Sequence, residues 1–110
     1  MTKAEYEAIV DATFEDIAAT LRKKNADYTG ISADPFANFR LSELEGVAPE
    51  RGLLIRVQDK MQRIRSFLDQ GRLFVEGESF EDAIHDIIGY MVLLKGMLLE
   101  KMQDDPLRLN

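Results

Sequence analysis

The sequence has 110 residues, of which 45% are hydrophobic and 31% charged, so it fits one folded domain and excludes a disordered or low-complexity chain. It contains no cysteine, which excludes disulfide scaffolds, thiolate nucleophiles and cysteine-based metal sites. Its formal net charge of −6 argues against binding to a nucleic-acid backbone, because such binding requires a basic face.

The sequence shows neither a signal peptide nor a membrane-spanning segment, which is typical of a cytoplasmic protein. Charged residues at Lys3, Glu5 and Glu7 interrupt the N-terminus, unlike a signal peptide. The longest apolar region, residues 87–99, is broken by Lys95 and is shorter than the ~20 residues of a membrane span. We therefore expect a cytoplasmic location and no membrane partner.

The first predicted helix runs from about Lys3 to Lys24. Thr2 and Glu5 have the spacing of a capping box, in which each residue satisfies a backbone N–H of the first turn. Apolar residues recur at three- and four-residue steps. They are Tyr6, Val10, Phe14, Ile17 and Leu21. Residues 25–30 are rich in turn-forming types and predict a turn.

A short second helix is predicted from Pro35 to Glu45. Asp34 before a proline is typical of a helix start, and Gly46 is typical of a helix end. The apolar residues expected to face inward are Phe36, Phe39 and Leu44.

A third helix is predicted from Pro49 to just before Gly71, and a fourth from Ser79 to about Gln103. The apolar stripe of the third consists of Leu54, Val57, Met61, Ile64 and Leu68. In the fourth, interior glycines at 89 and 96 suggest close approach by another helix or a ligand, since glycine costs about 1 kcal/mol there relative to alanine.

Four helices with short connections predict an all-α antiparallel bundle. We expect a single domain over residues 1–110, with a frayed tail from about residue 105. Residues 87–99 are apolar nearly all round the fourth helix, which implies burial on several sides or a subunit interface. A homo-oligomer is therefore expected.

The segment 78–90 carries the most informative pattern. On a helix, Glu78, Asp82 and Asp86 fall on one face at the mouth of the apolar region. Such a face can be solvated, but buried carboxylates need cations, hydrogen-bond donors or a metal. Two interpretations of a buried face stay open: a salt-bridge seam with the third helix, or a magnesium site beside basic groups that hold phosphate. The basic residues in both cases are Arg56, Lys60 and Arg63.

Four blocks of the sequence, taken in order, resemble a known family. They are Lys24-Asn-Ala-Asp27-Tyr28, Asp34-Pro-Phe-Ala-Asn-Phe-Arg40, Gly52-Leu-Leu-Ile-Arg56-Val-Gln-Asp59-Lys60-Met-Gln-Arg63 and Glu78-Ser-Phe-Glu-Asp82-Ala-Ile-His-Asp86-Ile-Ile-Gly-Tyr90. Together, over about residues 20–100, they resemble the nucleotide modification associated domain family of phages and bacteria. That family is similar to the MazG-like all-α nucleoside triphosphate pyrophosphatases.

The resemblance implies a MazG-like bundle with a nucleotide–magnesium site that releases pyrophosphate from a nucleoside triphosphate. It implies that magnesium is held by Asp59, Glu78, Asp82 and Asp86. The first three of these acids are the implied catalytic residues. The implied ligand contacts are Lys24, Asp27, Tyr28, Phe36, Asn38, Arg56, Lys60 and Arg63.

One departure from the MazG-like pattern keeps other functions open. MazG-like enzymes carry a Glu-x-x-Glu pair on the helix before the acidic one, whereas this chain has only Asp59 there, beside Lys60. Fewer carboxylates favour a weaker metal site and therefore a nucleotide binder without catalysis. A third hypothesis is a structural interaction module, because the apolar stretch of the fourth helix is also typical of a dimer seam.

Overall fold

The computed structural model describes residues 1–29, 33–72, 77 and 79–105, with Tyr28 and Thr29 described as backbone only. Within these residues the chain forms three α-helices and one 3₁₀ helix, and no strand. The α-helices are α1 (Lys3–Thr29), α2 (Pro49–Gln70) and α3 (Phe80–Asp104), and the 3₁₀ helix is Phe39–Glu45. The predicted all-α class is confirmed. The predicted frayed tail lies, beyond residue 105, outside the described residues.

The chain divides into two compact units, Met1–Pro35 and Phe36–Asn110. The first contains α1, and the second contains the 3₁₀ helix, α2 and α3. The single domain over 1–110 stays a prediction. In the part of the chain that the structure describes, none of the helices combines the length and the apolar character of a membrane span.

Helix α1 begins as predicted and ends later. The Thr2 hydroxyl oxygen accepts a hydrogen bond from the Glu5 N–H at 3.1 Å, which satisfies one donor of the first turn. The helix continues to Thr29, so the predicted turn is wrong for residues 25–29. No glycine or proline precedes Gly30, and Asn25 donates its side-chain N–H to the Pro35 carbonyl at 2.7 Å instead of forming a local turn.

The predicted second helix is shorter than expected and of the 3₁₀ type. It begins at Phe39 rather than Pro35, and it ends at Gly46 in the left-handed conformation (φ 73°), as predicted. Phe36 and Phe39 are buried, but Leu44 is 81% exposed, so its predicted inward position is wrong. With three residues per turn, position 44 falls on a different face of the 3₁₀ helix from position 39.

Helix α2 has the predicted bounds, and the middle of the predicted stripe, Val57, Met61 and Ile64, is partly buried, but its two ends are exposed. Leu53 is completely buried, whereas Leu54 is 41% exposed. Leu68, also assigned to the stripe, is exposed. Residues 53–55 are all apolar and successive helical positions are about 100° apart, so periodicity alone did not select the buried one.

The core of the second unit joins the 3₁₀ helix to α2 and α3. Its buried members are Phe36, Phe39, Leu53 and Met97, and partly buried Tyr90, Leu93 and Leu94 pack against them. Gly96 makes room for Phe36, because a Cβ there would lie 2.8 Å from the phenylalanine Cζ. The close approach predicted at this glycine is therefore an aromatic ring from the same unit.

Helices α2 and α3 run antiparallel. Glu50, at the start of α2, pairs with Lys101 near the end of α3 at 3.1 Å, and Lys60, in mid-α2, pairs with Asp86 near the start of α3 at 2.9 Å. The start of α3 is fixed by a capping box. Ser79 Oγ accepts from the Asp82 N–H at 3.1 Å, and Asp82 Oδ2 accepts from the Ser79 N–H at 3.2 Å.

Candidate functional site

The predicted charged residues of α2 and α3 meet at the ion pair between Lys60 Nζ and Asp86 Oδ2. The two side chains are only 21% and 25% exposed, so this pair is shielded more than an ordinary surface pair. We call the surface around it the α2–α3 charged face. Its described members are Arg56, Asp59, Lys60 and Arg63 on α2, and Asp82 and Asp86 on α3.

On α3, the acidic side of this face begins in the first turn of the helix. Asp82 lies one turn before Asp86, is exposed, and uses Oδ2 in the capping box. A carboxylate has about four acceptor positions, so after this one hydrogen bond Asp82 can still accept further bonds or bind a metal ion. Glu78, the remaining predicted acid, lies outside the described residues.

On α2, the basic side extends one turn to either side of Lys60. Arg56 places its guanidinium carbon 5.0 Å from the centroid of the Phe39 ring, a cation–π geometry that anchors it to the edge of the core. Arg63 is half-buried, and Asp59 is exposed. Residues three and four apart on a helix are neighbours, so the three cations form one continuous patch.

The other predicted ligand contacts are not members of the α2–α3 charged face. Lys24, Asp27 and Tyr28 belong to α1 in the first unit, where the first two are exposed. Phe36 is buried in the core, under the Arg40 guanidinium at 5.8 Å.

Asn38 is half-buried in the turn between Phe36 and the 3₁₀ helix. Its Oδ1 is buried without a hydrogen-bond partner among the described residues. Its side chain makes no capping hydrogen bond to the 3₁₀ helix.

The carboxylates of the charged face are better suited to magnesium held jointly with substrate phosphates than to a magnesium site formed by the protein alone. Within the described residues, no group of three or more acidic or histidine side chains is close enough to hold a metal ion. Magnesium keeps several waters, however, and is commonly held by one or two carboxylates together with substrate phosphates. The donor chemistry of Asp59, Asp82 and Asp86 is therefore compatible with magnesium that arrives with a polyphosphate.

A second charged region, which the sequence analysis did not anticipate, lies where α2 begins and α3 ends. A cleft of about 380 Å³ opens there. It is bordered by two ion pairs, Arg40 with Glu100 at 2.8 Å and Lys101 with Glu50 at 3.1 Å. Glu50 at the start of α2 and Lys101 near the end of α3 each stabilise the dipole of their own helix, so this pair has a structural role.

Comparison with family models, curated proteins and solved structures gave no match to the chain.

Proposed function

We propose that the chain binds a nucleotide through its phosphates at the α2–α3 charged face and, with magnesium, hydrolyses a nucleoside triphosphate to a monophosphate and pyrophosphate. The observation that supports this most directly is the shielded pair of Lys60 and Asp86. It sets a cation patch against carboxylates, the two groups that a magnesium-bound polyphosphate needs. The resemblance to the nucleotide modification associated domain family supports the same ligand class.

The cations of α2 would bind the phosphates. The Lys60 ammonium has three donors, so it can keep Asp86 as a partner and still donate to a phosphate oxygen. The planar guanidinium of Arg63 can bind two phosphate oxygens at once, and hydrogen bonds between charged partners are stronger than neutral ones. Arg56, held over Phe39, would form the edge of the cation patch on the side of the core.

The carboxylates would serve the hydrolytic step. One or two of the carboxylates Asp59, Asp82 and Asp86, together with the substrate phosphates, would hold magnesium, which when bound neutralises phosphate charge and increases the acidity of coordinated water. Asp59 or Glu78 would accept the proton of the attacking water. The water oxygen bonds to the phosphorus that stays with the nucleoside, and the bond from that phosphorus to the pyrophosphate oxygen breaks.

Ligand binding is tested by thermal stability against nucleoside and deoxynucleoside mono-, di- and triphosphates, each with and without magnesium. A ligand that binds only the folded state raises the melting temperature by mass action, and we expect a magnesium-dependent rise with triphosphates. A flat panel would contradict nucleotide binding and favour the interaction module.

The cation patch is tested by replacing Arg63 with glutamine. We expect the Kd of the triphosphate to rise about tenfold or more, because each charged hydrogen bond is worth roughly 1.5–3 kcal/mol. Arg65→Gln is the matched control: it makes the same charge change on α2, at an exposed position about 140° away from Lys60 round the helix. Equal effects of the two changes, measured by calorimetry, would place the ligand elsewhere.

Catalysis is tested by Asp82→Asn. We expect this change to abolish pyrophosphate release while the fold is retained, since asparagine keeps an oxygen that can accept the Ser79 N–H. Asp69→Asn, at an exposed position near the end of α2, is the control and should leave turnover unchanged.

Two other outcomes of the Asp82→Asn test separate the remaining hypotheses. Unchanged turnover would remove Asp82 from the reaction. Binding by the unaltered chain with no turnover at all would favour the non-catalytic binder, which the single acid at Asp59 also favours.

A structural interaction module is the second candidate function. It is favoured by the local bonds that Asp82 and Asp86 already make, a helix cap and an ion pair, which account for both acids without a ligand. In that case changes at Lys60, Asp82 and Arg63 alter stability and nothing else.

A further inference from the structure

Helix α3 carries a row of partly exposed apolar side chains along one side. Its members follow one another in steps of four, three, four, three and four residues, and we call them the apolar seam. They are Phe80, Ile84, Ile87, Met91, Leu94 and Leu98. Phe80, Ile84, Met91 and Leu98 remain between 37% and 40% exposed. Ile87 and Leu94 are partly buried, Leu94 touches the core, and one side of the Phe80 ring packs against Phe67 of α2 at 4.9 Å between ring centroids.

The spacing of the seam is that of a helix–helix interface. Alternating steps of three and four residues keep apolar side chains facing a partner helix, in the manner of a coiled coil. From Phe80 to Leu98 the seam runs about 27 Å at ~1.5 Å per residue, long enough to receive another helix of similar length. Exposed apolar patches of this extent mark interaction sites.

The seam is also symmetric about the level of residue 89. The order of steps is the same in both directions, so an antiparallel second copy pairs every member with another apolar member. The pairs are Phe80 with the partner's Leu98, Ile84 with the partner's Leu94, and Ile87 with the partner's Met91. A self-complementary patch of this kind is what a two-fold dimer requires.

Charged residues beside the seam favour the same arrangement. Glu81 and Lys95 are exposed on one flank, eight residues before and six residues after the centre. An antiparallel copy brings Glu81 near the partner's Lys95, twice in the dimer. A parallel, in-register copy would place Lys95 beside the partner's Tyr90 and provide no opposite charge for it.

We propose that the chain forms a homodimer in which two α3 helices pack antiparallel along the apolar seam. The proposal is independent of nucleotide binding, because the seam contains none of the residues of the charged face. It assigns the exposed apolar side of α3 to a second copy of the chain, while the side that carries Ala83 and Met97 stays buried in the protomer.

The oligomeric state tests the proposal on the full chain. Sedimentation equilibrium at roughly 50 µM should give a mass near two 12.5 kDa chains, and Ile84→Glu with Met91→Glu should give one. Leu44→Glu is the control, because Leu44 is exposed on the 3₁₀ helix and should leave the dimer intact. A monomeric unaltered chain, or an unchanged dimer in the double variant, would overturn the proposal.

Cysteine cross-linking tests the orientation and does not depend on how the glutamate variants fold. The chain has no cysteine, so a single substitution introduces the only thiol. Phe80→Cys mixed with Leu98→Cys should form a disulfide-linked dimer on mild oxidation, while each variant alone should not, since an antiparallel pair separates identical positions by about 27 Å. Links formed by each variant alone indicate parallel helices, and no link in any mixture excludes the seam; either result overturns the proposal.

Discussion

Replacing Leu53 by alanine is expected to lower the free energy of unfolding by about 3 kcal/mol, whereas replacing Leu54 is expected to lower it by less than about 1 kcal/mol. The two leucines are adjacent in sequence, but the first is completely buried and the second is 41% exposed. Truncation of Leu53 removes buried methyl groups and leaves a cavity between Phe36, Phe39 and Met97. At position 54 the truncated side chain is replaced largely by water.

Chemical denaturation of both variants at equal protein concentration measures the difference. Equal concentration is needed because dimerisation would add to the apparent stability of each protein. For a domain of this size, a loss of 3 kcal/mol lowers the melting temperature by more than about 10 °C. A larger loss for Leu54 than for Leu53 would restore the stripe that periodicity predicted and contradict the packing of α2.

The ends of several elements could be predicted because single residues specify them. Ser79 and Asp82 cap α3, and glycines with positive φ follow both the 3₁₀ helix and α2 at positions 46 and 71. These signals act within one turn of the chain, so they depend little on tertiary packing. The end of α1 had no such signal: turn-forming residues in 25–29 disfavour a helix only weakly, and the helix continued through them.

Which apolar residues are buried could be predicted less well. Leu54 lies in a run of three apolar residues, any of which could be the buried one. Leu44 lies in a 3₁₀ helix, in which the residues that share a face differ from those of an α-helix. Which of these side chains is buried depends on the element that packs against the helix, and sequence periodicity does not contain that information. For the same reason the apolar character of residues 87–99 predicted burial or an interface, but not which side of α3 faces α2.

For the candidate site, the sequence identified the residue types but not their pairing. A seam between the acids of α3 and the bases of α2 was one of the predicted alternatives, and the structure brings Lys60 to Asp86. That pairing depends on the register of α2 against α3, which is set about two turns away by Leu53 packing in the core. Changes at Leu53 should therefore disturb the charged face as well as the stability.

Replacing Gly96 by alanine should destabilise the chain even though alanine is the better helix former. The new Cβ would lie 2.8 Å from Phe36 Cζ and 3.3 Å from Cε1, and both ring atoms belong to a buried side chain. Displacing the ring is expected to cost about 1–3 kcal/mol, which exceeds the gain of about 1 kcal/mol in helix propensity. Denaturant titration should show a net loss.

Gly52→Ala is the matched control on α2. Its Cβ would lie 3.4 Å from Ser42 Cβ, an ordinary contact, so the helix-propensity gain should prevail and stability should rise by up to about 1 kcal/mol. A gain of similar size at Gly96 would contradict the packing of Phe36 against α3.

A double-mutant cycle with Phe36→Leu separates the aromatic contact from other effects at position 96. Leucine lacks the distal ring atoms that the new Cβ would meet, so the destabilisation by Gly96→Ala should shrink in the Phe36→Leu background. The same variant tests the ligand contact predicted for Phe36. If Phe36 serves only the core, Phe36→Leu lowers the stability of the protein and leaves the nucleotide affinity of the folded protein unaltered. If Phe36 also contacts the nucleotide, the same change lowers the affinity as well.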